Sequence, residues 1–248
     1  MWGDPAGHAP PSWFVFSDGD EFVVPTDMTS DAFMARLSRK SRQTLNRAAR
    51  AFESLAGAMY VRGKDPADLA AGYEELLEVE ASGWKGAHGS SIRRRPWYEA
   101  FYRDLLGRLV RDGHCEVRSL RAEGRCIAAG FWVYTGRGCV LLKCGYDESY
   151  AQASPGRLLT HKGLEWACDD PGVDFVSLIG DAPWLRHWNP ETRVRQRAYI
   201  PLRPVSGRAL VAAMRLRYGL VRSLVREVKA WWRKRDDATR VRRGRDSE

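Results

Sequence analysis

Apolar residues along the chain fall into short runs whose period changes from segment to segment. Trp13–Phe16 and Glu21–Val24 flank Ser17-Asp18-Gly19-Asp20 and predict a hairpin. From Ser30, the expected N-cap, to about Phe52 the period is helical. Phe33, Met34, Leu37, Leu45, Ala48, Ala49 and Phe52 form the apolar side. Arg36, Arg39, Lys40, Arg42, Arg47 and Arg50 fill the rest, as a solvated face or, alternatively, a contact for an anionic ligand. Met59–Val61 reads as a strand. Asp65-Pro66 then opens a helix to about Ser82, since proline fits the first helical position. A glycine-rich loop, Gly83–Gly89, follows. The next helix runs from about Pro96 to Val110 and stops at Asp112-Gly113.

Beyond it the period shortens. Glu116–Leu120, Cys126–Tyr134 and Cys139–Tyr146 are strand-like runs joined by Glu123-Gly124 and Thr135-Gly136-Arg137-Gly138, which predicts an antiparallel meander. A helix from about Pro155 to Cys168 leads to a strand at Asp174–Ile179, and strand–helix–strand at that length implies a parallel crossover. Arg195–Leu202 is a last strand. Val211, Met214, Tyr218, Val221, Val225, Val228 and Trp232 then form an apolar helical stripe. The expected organisation is a 1–29 extension, a 30–202 domain with a mixed α/β sheet and helices on both faces, a basic amphipathic helix over 203–235, and a disordered tail over 236–248.

Charge sharpens this division. The formal net charge is +9, with 40 Lys+Arg and 31 Asp+Glu. Arg203–Glu248 holds 14 and 5 of these, so the remaining residues carry 26 of each sign. The body is neutral, which argues against whole-protein binding of nucleic acid. The C-terminal helix has three readings: packing on the body or a second subunit, contact with an anionic membrane surface through Trp231, Trp232 and the arginines, or nucleic acid. No apolar run approaches the ~18–20 residues of a membrane span, and Met1–Ser12 is Pro- and Gly-rich without a signal-peptide pattern. The five cysteines form no CxxC pair and read as reduced structural thiols. The expected location is therefore the cytoplasm, at most peripheral to the inner membrane surface. His88, His161 and His187 show no ligand spacing, and no GxSxG elbow occurs, so neither a metal site nor covalent catalysis is expected.

The local pattern richest in chemistry is Gln152-Ala153-Ser154-Pro155-Gly156-Arg157, between a strand and a helix. Ser154 suits a cap, Pro155 the first helical position, and Gly156 leaves the backbone open to a ligand. First-turn N–H groups lack intrahelical partners and the helix dipole favours an anion there, to which Arg157 adds a charge. As a bare pattern this admits either a plain cap or a phosphate site.

Four motifs in order extend the pattern: Gly83-Trp84-Lys85-Gly86-Ala87-His88-Gly89-Ser90-Ser91-Ile92, Gly145-Tyr146-Asp147-Glu148-Ser149-Tyr150, Ser154-Pro155-Gly156-Arg157-Leu158-Leu159, and Asp174-Phe175 with Gly180-Asp181-Ala182-Pro183-Trp184. Together, over roughly residues 30–201, the chain resembles the CelD/BcsL-type branch of the GNAT acetyltransferases, proteins often linked to cellulose or exopolysaccharide synthesis and distantly related to the FemAB group. The resemblance implies a GNAT fold, in which three antiparallel strands lead into a parallel crossover. It also implies acylation of a small-molecule amine from acetyl-CoA or another acyl-CoA, by direct attack on the thioester. Lys143 to Tyr146 is then expected beside the pantetheine arm, and Gln152, Ser154, Gly156 and Arg157 at the pyrophosphate. Glu80, Asp147 and Asp181 are the candidate bases and Tyr146 the candidate acid. Trp84, Lys85 and Trp184 are the expected acceptor-side residues. Relatives often carry an aromatic-Lys pair where this chain has Trp184-Leu185, which motivates a second reading as a non-catalytic scaffold. A third reading takes the acyl group from aminoacyl-tRNA, as FemAB proteins do. Many relatives also have a longer N-terminal half than Met1–Thr29 supplies, so a minimal form or a half contributed by another copy is expected.

Overall fold

The computed structural model describes residues 13–83, 89, 91–201 and 206–217. Seven strands form one mixed sheet: β1 (Phe14–Pro25), β2 (Met59–Gly63), β3 (Cys115–Ala122), β4 (Arg125–Thr135), β5 (Gly138–Tyr146), β6 (Phe175–Ser177) and β7 (Glu191–Tyr199). Their order is β2-β3-β4-β5-β6-β1-β7. Helices are α1 (Ser30–Arg36), α2 (Arg39–Glu53), α3 (Pro66–Ser82), α4 (Pro96–Arg111), α5 (Pro155–Asp169) and α6 (206–217). The chain divides into two compact units, residues 20–193 and the two terminal segments 1–19 with 194–248.

In the larger unit, β3 through β5 form the expected antiparallel meander, and β2 pairs antiparallel along the outer side of β3. The β5–α5–β6 connection returns parallel, pairing Gly138 with Phe175 and Val140 with Ser177. Helices α3 and α4 cover one face through Leu69, Tyr73, Leu76 and Tyr102 against Val117 and Phe131. Helices α1, α2 and α5 cover the other, with Phe33, Leu45 and Leu164 around the fully buried Trp132, and Phe52 against Leu120 and Leu158. At roughly 25 cal/mol per Å² of apolar surface, this burial supplies most of the drive to fold. No described helix is long and apolar enough to cross a membrane.

A charged cluster is set into the α5 face. Glu116 on β3 accepts from Arg62 Nε at 2.7 Å and from Arg118 Nε at 3.0 Å. Arg118 is fully buried, stacks on Trp166 and Trp132, and donates to the Gly163 carbonyl and the Tyr134 hydroxyl. Burial alone would raise the Glu116 carboxyl, but Arg62 and Arg118 hold it below the usual range. The cluster ties β2, β3, β4 and α5 together.

Two local expectations are corrected. The predicted helix from Ser30 to Phe52 breaks at Leu37-Ser38, both extended, because Ser38 caps a new start: its hydroxyl accepts the Ser41 N–H at 3.0 Å. The cap of α1 is Thr29, not Ser30. The predicted hairpin around Gly19 is instead one strand, with Gly19 at φ 78° absorbed as an irregularity. Val23–Pro25 pairs antiparallel with β6, so this half finds a partner distant in sequence.

In the smaller unit, Phe14 and Phe16 stack on Tyr199, and Arg195 donates to the Asp18 carbonyl at 2.8 Å. Val211 of α6 is buried, and Arg215 donates to the Trp13 carbonyl. The rest of the predicted C-terminal helix, including Trp231 and Trp232, and the tail lie outside the described residues.

Candidate active site

The site begins with a strand irregularity. In the β4–β5 ladder Phe131 faces Lys143 and Trp132 faces Leu141, which leaves Leu142 as an extra residue on β5. Such a bulge bends and twists its strand. On the other edge, the last pair with β6 is Val140–Ser177, so β5 continues from Leu141 to Tyr146 without β6 beside it. The two parallel strands part there, and the gap opens beside the N-terminus of α5.

A cavity of about 400 Å³ occupies this region. Its floor is the end of β5 (Cys144, Gly145, Tyr146), one wall is the last turn of α3 (Val79, Glu80, Gly83), and the other is the start of α5 (Ser154, Gly156, Arg157) with Ala151. Trp184 completes the rim and is 51 % exposed. Helix α3 packs on the strand so closely that a Cβ at Gly145 would sit 2.8 Å from the Glu80 Cα. That approach seats the Glu80 carboxylate in the wall. Glu80 is 2 % exposed, and one of its oxygens accepts the Ile92 N–H at 2.9 Å.

At α5, Ser154 adopts a left-handed conformation (φ 47°, ψ 50°) directly before proline. A non-glycine residue held so costs on the order of 1–3 kcal/mol, and such strain concentrates at functional sites. Its hydroxyl makes no cap bond, so the expected cap role falls to its carbonyl, which accepts the N–H groups of Arg157 and Leu158 at 3.0 Å. Arg157 makes no ion pair or side-chain hydrogen bond among the described residues. Gly156 lies under the Tyr146 ring, where a Cβ would approach Cδ1 to 2.9 Å. The arrangement presents an anion with a helix N-terminus, a serine hydroxyl and an uncommitted guanidinium, a few residues from a buried carboxylate and a phenol.

Glu80, Tyr146, Ser154, Gly156, Arg157 and Trp184 are thus brought together as expected. Four others are not among the described lining residues. Asp147 accepts from the Ser149 N–H and hydroxyl at 2.9 and 2.7 Å, capping the 3-10 turn Glu148–Ala153. Burial would raise its carboxyl, but those bonds hold it below the usual range, which weakens it as a base. Asp181 and Gln152 are exposed. Past the bulge, Lys143 faces α4, with Nζ 5.1 Å from the Tyr98 ring and 5.4 Å from that of Tyr102. Burial pushes the Tyr98 phenol up, but Lys143 and Tyr102 outweigh it and leave it below the usual value. Trp84, Lys85 and His88 lie outside the described residues. Leu185 is 3 % exposed and belongs to the core with Phe33 and Trp188. Cys144 and Gly145 fall within the Lys143–Tyr146 stretch expected beside the arm, whereas Val79 and Ala151 escaped the sequence reading as site residues.

No curated protein sequence matches the chain. Among solved structures, FemX superposes with a TM-score of 0.55 at 11% identity, covering 77% of this chain and 63% of its own. A conserved protein of unknown function from Bacteroides thetaiotaomicron gives 0.50 at 12% identity, with the same coverage. The chain therefore spans less than two thirds of the length of these structures, and the likeness is one of fold. An acetyltransferase (GNAT) domain model matches residues 39–186, which contain the bulged β5, the parallel crossover and every lining residue of the cavity. By that match over more than half its length, on the architecture just described, the chain belongs to the GNAT acetyltransferase domain family.

Proposed function

We propose that the protein is an acyl-CoA-dependent N-acyltransferase acting on a small polar amine, with its chemistry in the cavity between β5 and α5. The observation that carries this reading is the strained Ser154-Pro155-Gly156-Arg157 turn facing a gap between parallel strands, a buried carboxylate across from it. The residues present fit a diphosphate. Gly156 adds no side chain at the helix start, Ser154 keeps its hydroxyl off the cap, and Arg157 supplies a cation that makes no ion pair among the described residues.

Acyl-CoA, when bound, supplies an acyl group activated as a thioester. The chain's own residues then have three duties. Ser154, Gly156 and Arg157 hold the diphosphate, fixing the reach of the arm along β5. Glu80 takes the proton that the amine releases as it attacks, directly or through a water. Tyr146, whose ring rests on Gly156, donates a proton to the departing thiolate. The exposed Trp184 borders the acceptor side. The motif likeness to CelD/BcsL-type proteins favours an acetyl donor and an amino sugar of polysaccharide synthesis as acceptor, in the cytoplasm.

A thermal-shift series checks the donor. Coenzyme A at 100 times its dissociation constant should stabilise the protein by about 2.7 kcal/mol. No shift with CoA or any acyl-CoA would remove this reading and leave the non-catalytic scaffold. A shift with aminoacyl-tRNA that disappears as salt rises would point to a FemAB-type donor instead.

A further inference from the structure

A second cavity, of about 240 Å³, lies between α2, α5 and the 3-10 turn Pro183–Trp188. Lys40, Ser41, Thr44, Arg157, His187 and Trp188 line it, and none of its described lining residues is acidic. Arg157 borders this cavity and the first one alike. A ligand whose diphosphate sits at Arg157 therefore has a second basic chamber within reach.

The neighbouring Arg42 folds back onto the carbonyls of Met34, Ala35 and Leu37, closing the end of α1. Lys40 and Arg157 have no ion pair among the described residues. At the N-terminus of α2, Ser38 accepts the N–H groups of Ser41 and Arg42, so the charge in the cavity comes from side chains. Trp188 is 2 % exposed and its buried indole N–H has no partner among the described residues. Burial, then the charges of Arg157 and Lys40, keep the His187 imidazole below its usual value, as expected in a positive chamber whose described lining holds no carboxylate.

We propose that this chamber is a subsite for a phosphomonoester, and that the group it takes is the 3′-phosphate of coenzyme A. The Thr44 hydroxyl donates to the Lys40 carbonyl at 2.9 Å and the Ser41 hydroxyl pairs with that of Ser38, so the two cations and the imidazole are what match a compact dianion better than an amine or an apolar group. The chamber is built from α2, which sets donor recognition partly outside the β5–α5 crossover. The inference rests on the acyl-CoA reading, and its test separates the two.

Isothermal titration of the full chain with coenzyme A and with 3′-dephospho-coenzyme A decides it, in wild type, Lys40→Gln and His187→Gln. Lys40 and His187 are exposed, so both variants retain the fold. Wild type should bind coenzyme A about tenfold more tightly than the dephospho form, the share expected of one charge-assisted contact. Lys40→Gln should bring that ratio close to one while leaving affinity for the dephospho form unchanged. Equal binding of both compounds by wild type, or a preference that survives both substitutions, overturns the subsite and leaves the donor reading standing. Binding of neither compound overturns both.

Discussion

A carboxylate that is 2 % exposed needs hydrogen bonds, and Glu80 finds one in the Ile92 N–H while its side chain lines the cavity. The amide of a glutamine can still accept that N–H but cannot take a proton. Glu80→Gln should therefore fold normally and bind coenzyme A as before, with kcat lowered by about 10²-fold or more, as steady-state kinetics with an amine acceptor would show. Unchanged kcat would remove Glu80 as the base. At this scale Ser154, Gly156 and Arg157 were legible as candidates because proline, glycine and a cap-type residue at a helix start have local meanings, whereas Glu80 and Tyr146 were candidates only through the family resemblance. Asp147 looked equivalent to Glu80 in sequence. Its Ser149 bonds, which turn it into a cap, depend on a turn conformation that no spacing reveals. Lys143 was misleading for a related reason: the extra residue at Leu142 changes which way β5 side chains face.

Elements were legible wherever their signals were local. The helix opened by Asp65-Pro66, the glycine-punctuated meander and the Pro155 helix all form close to the expected bounds. Failures came where tertiary partners override the pattern. Gly19 reads as a reversal, yet β1 runs through it because β6 pairs with its second half. The break between α1 and α2 rests on Ser38. Removing that cap with Ser38→Ala should cost about 1 kcal/mol in urea unfolding. It should also weaken the placement of Lys40, in the first turn that Ser38 caps. Full stability in that variant would mean that the bend is held by Arg42 and its carbonyl contacts instead.

Across the whole of the larger unit, the buried charges matter more than the surface pairs. Glu116→Ala would leave Arg118, which is fully buried, without its carboxylate partner. A loss of about 3–5 kcal/mol is expected in equilibrium denaturation, with the site disturbed only through the fold. On α5, Glu165 is held at about 2, first by the hydrogen bond from His161 and then by Lys162, against an ordinary value of 4.5. A depressed carboxyl contributes stability that is fully present above its unfolded value and is lost as pH falls through the folded one. Wild type should therefore lose stability between about pH 4.5 and 2, and Glu165→Gln should flatten that limb of the curve. None of these long-range pairings was readable in sequence, since Arg62, Glu116, Arg118 and Gly163 meet only when three elements pack. The most direct test of the account is a calorimetric titration of coenzyme A into wild type and Gly156→Asp, a substitution that places a charged side chain under the Tyr146 ring at the start of α5. Wild type should bind and the variant should lose at least tenfold in affinity, since both bulk and like charge oppose the diphosphate there. Equal affinity in the two proteins would contradict the placement of the donor in this cavity.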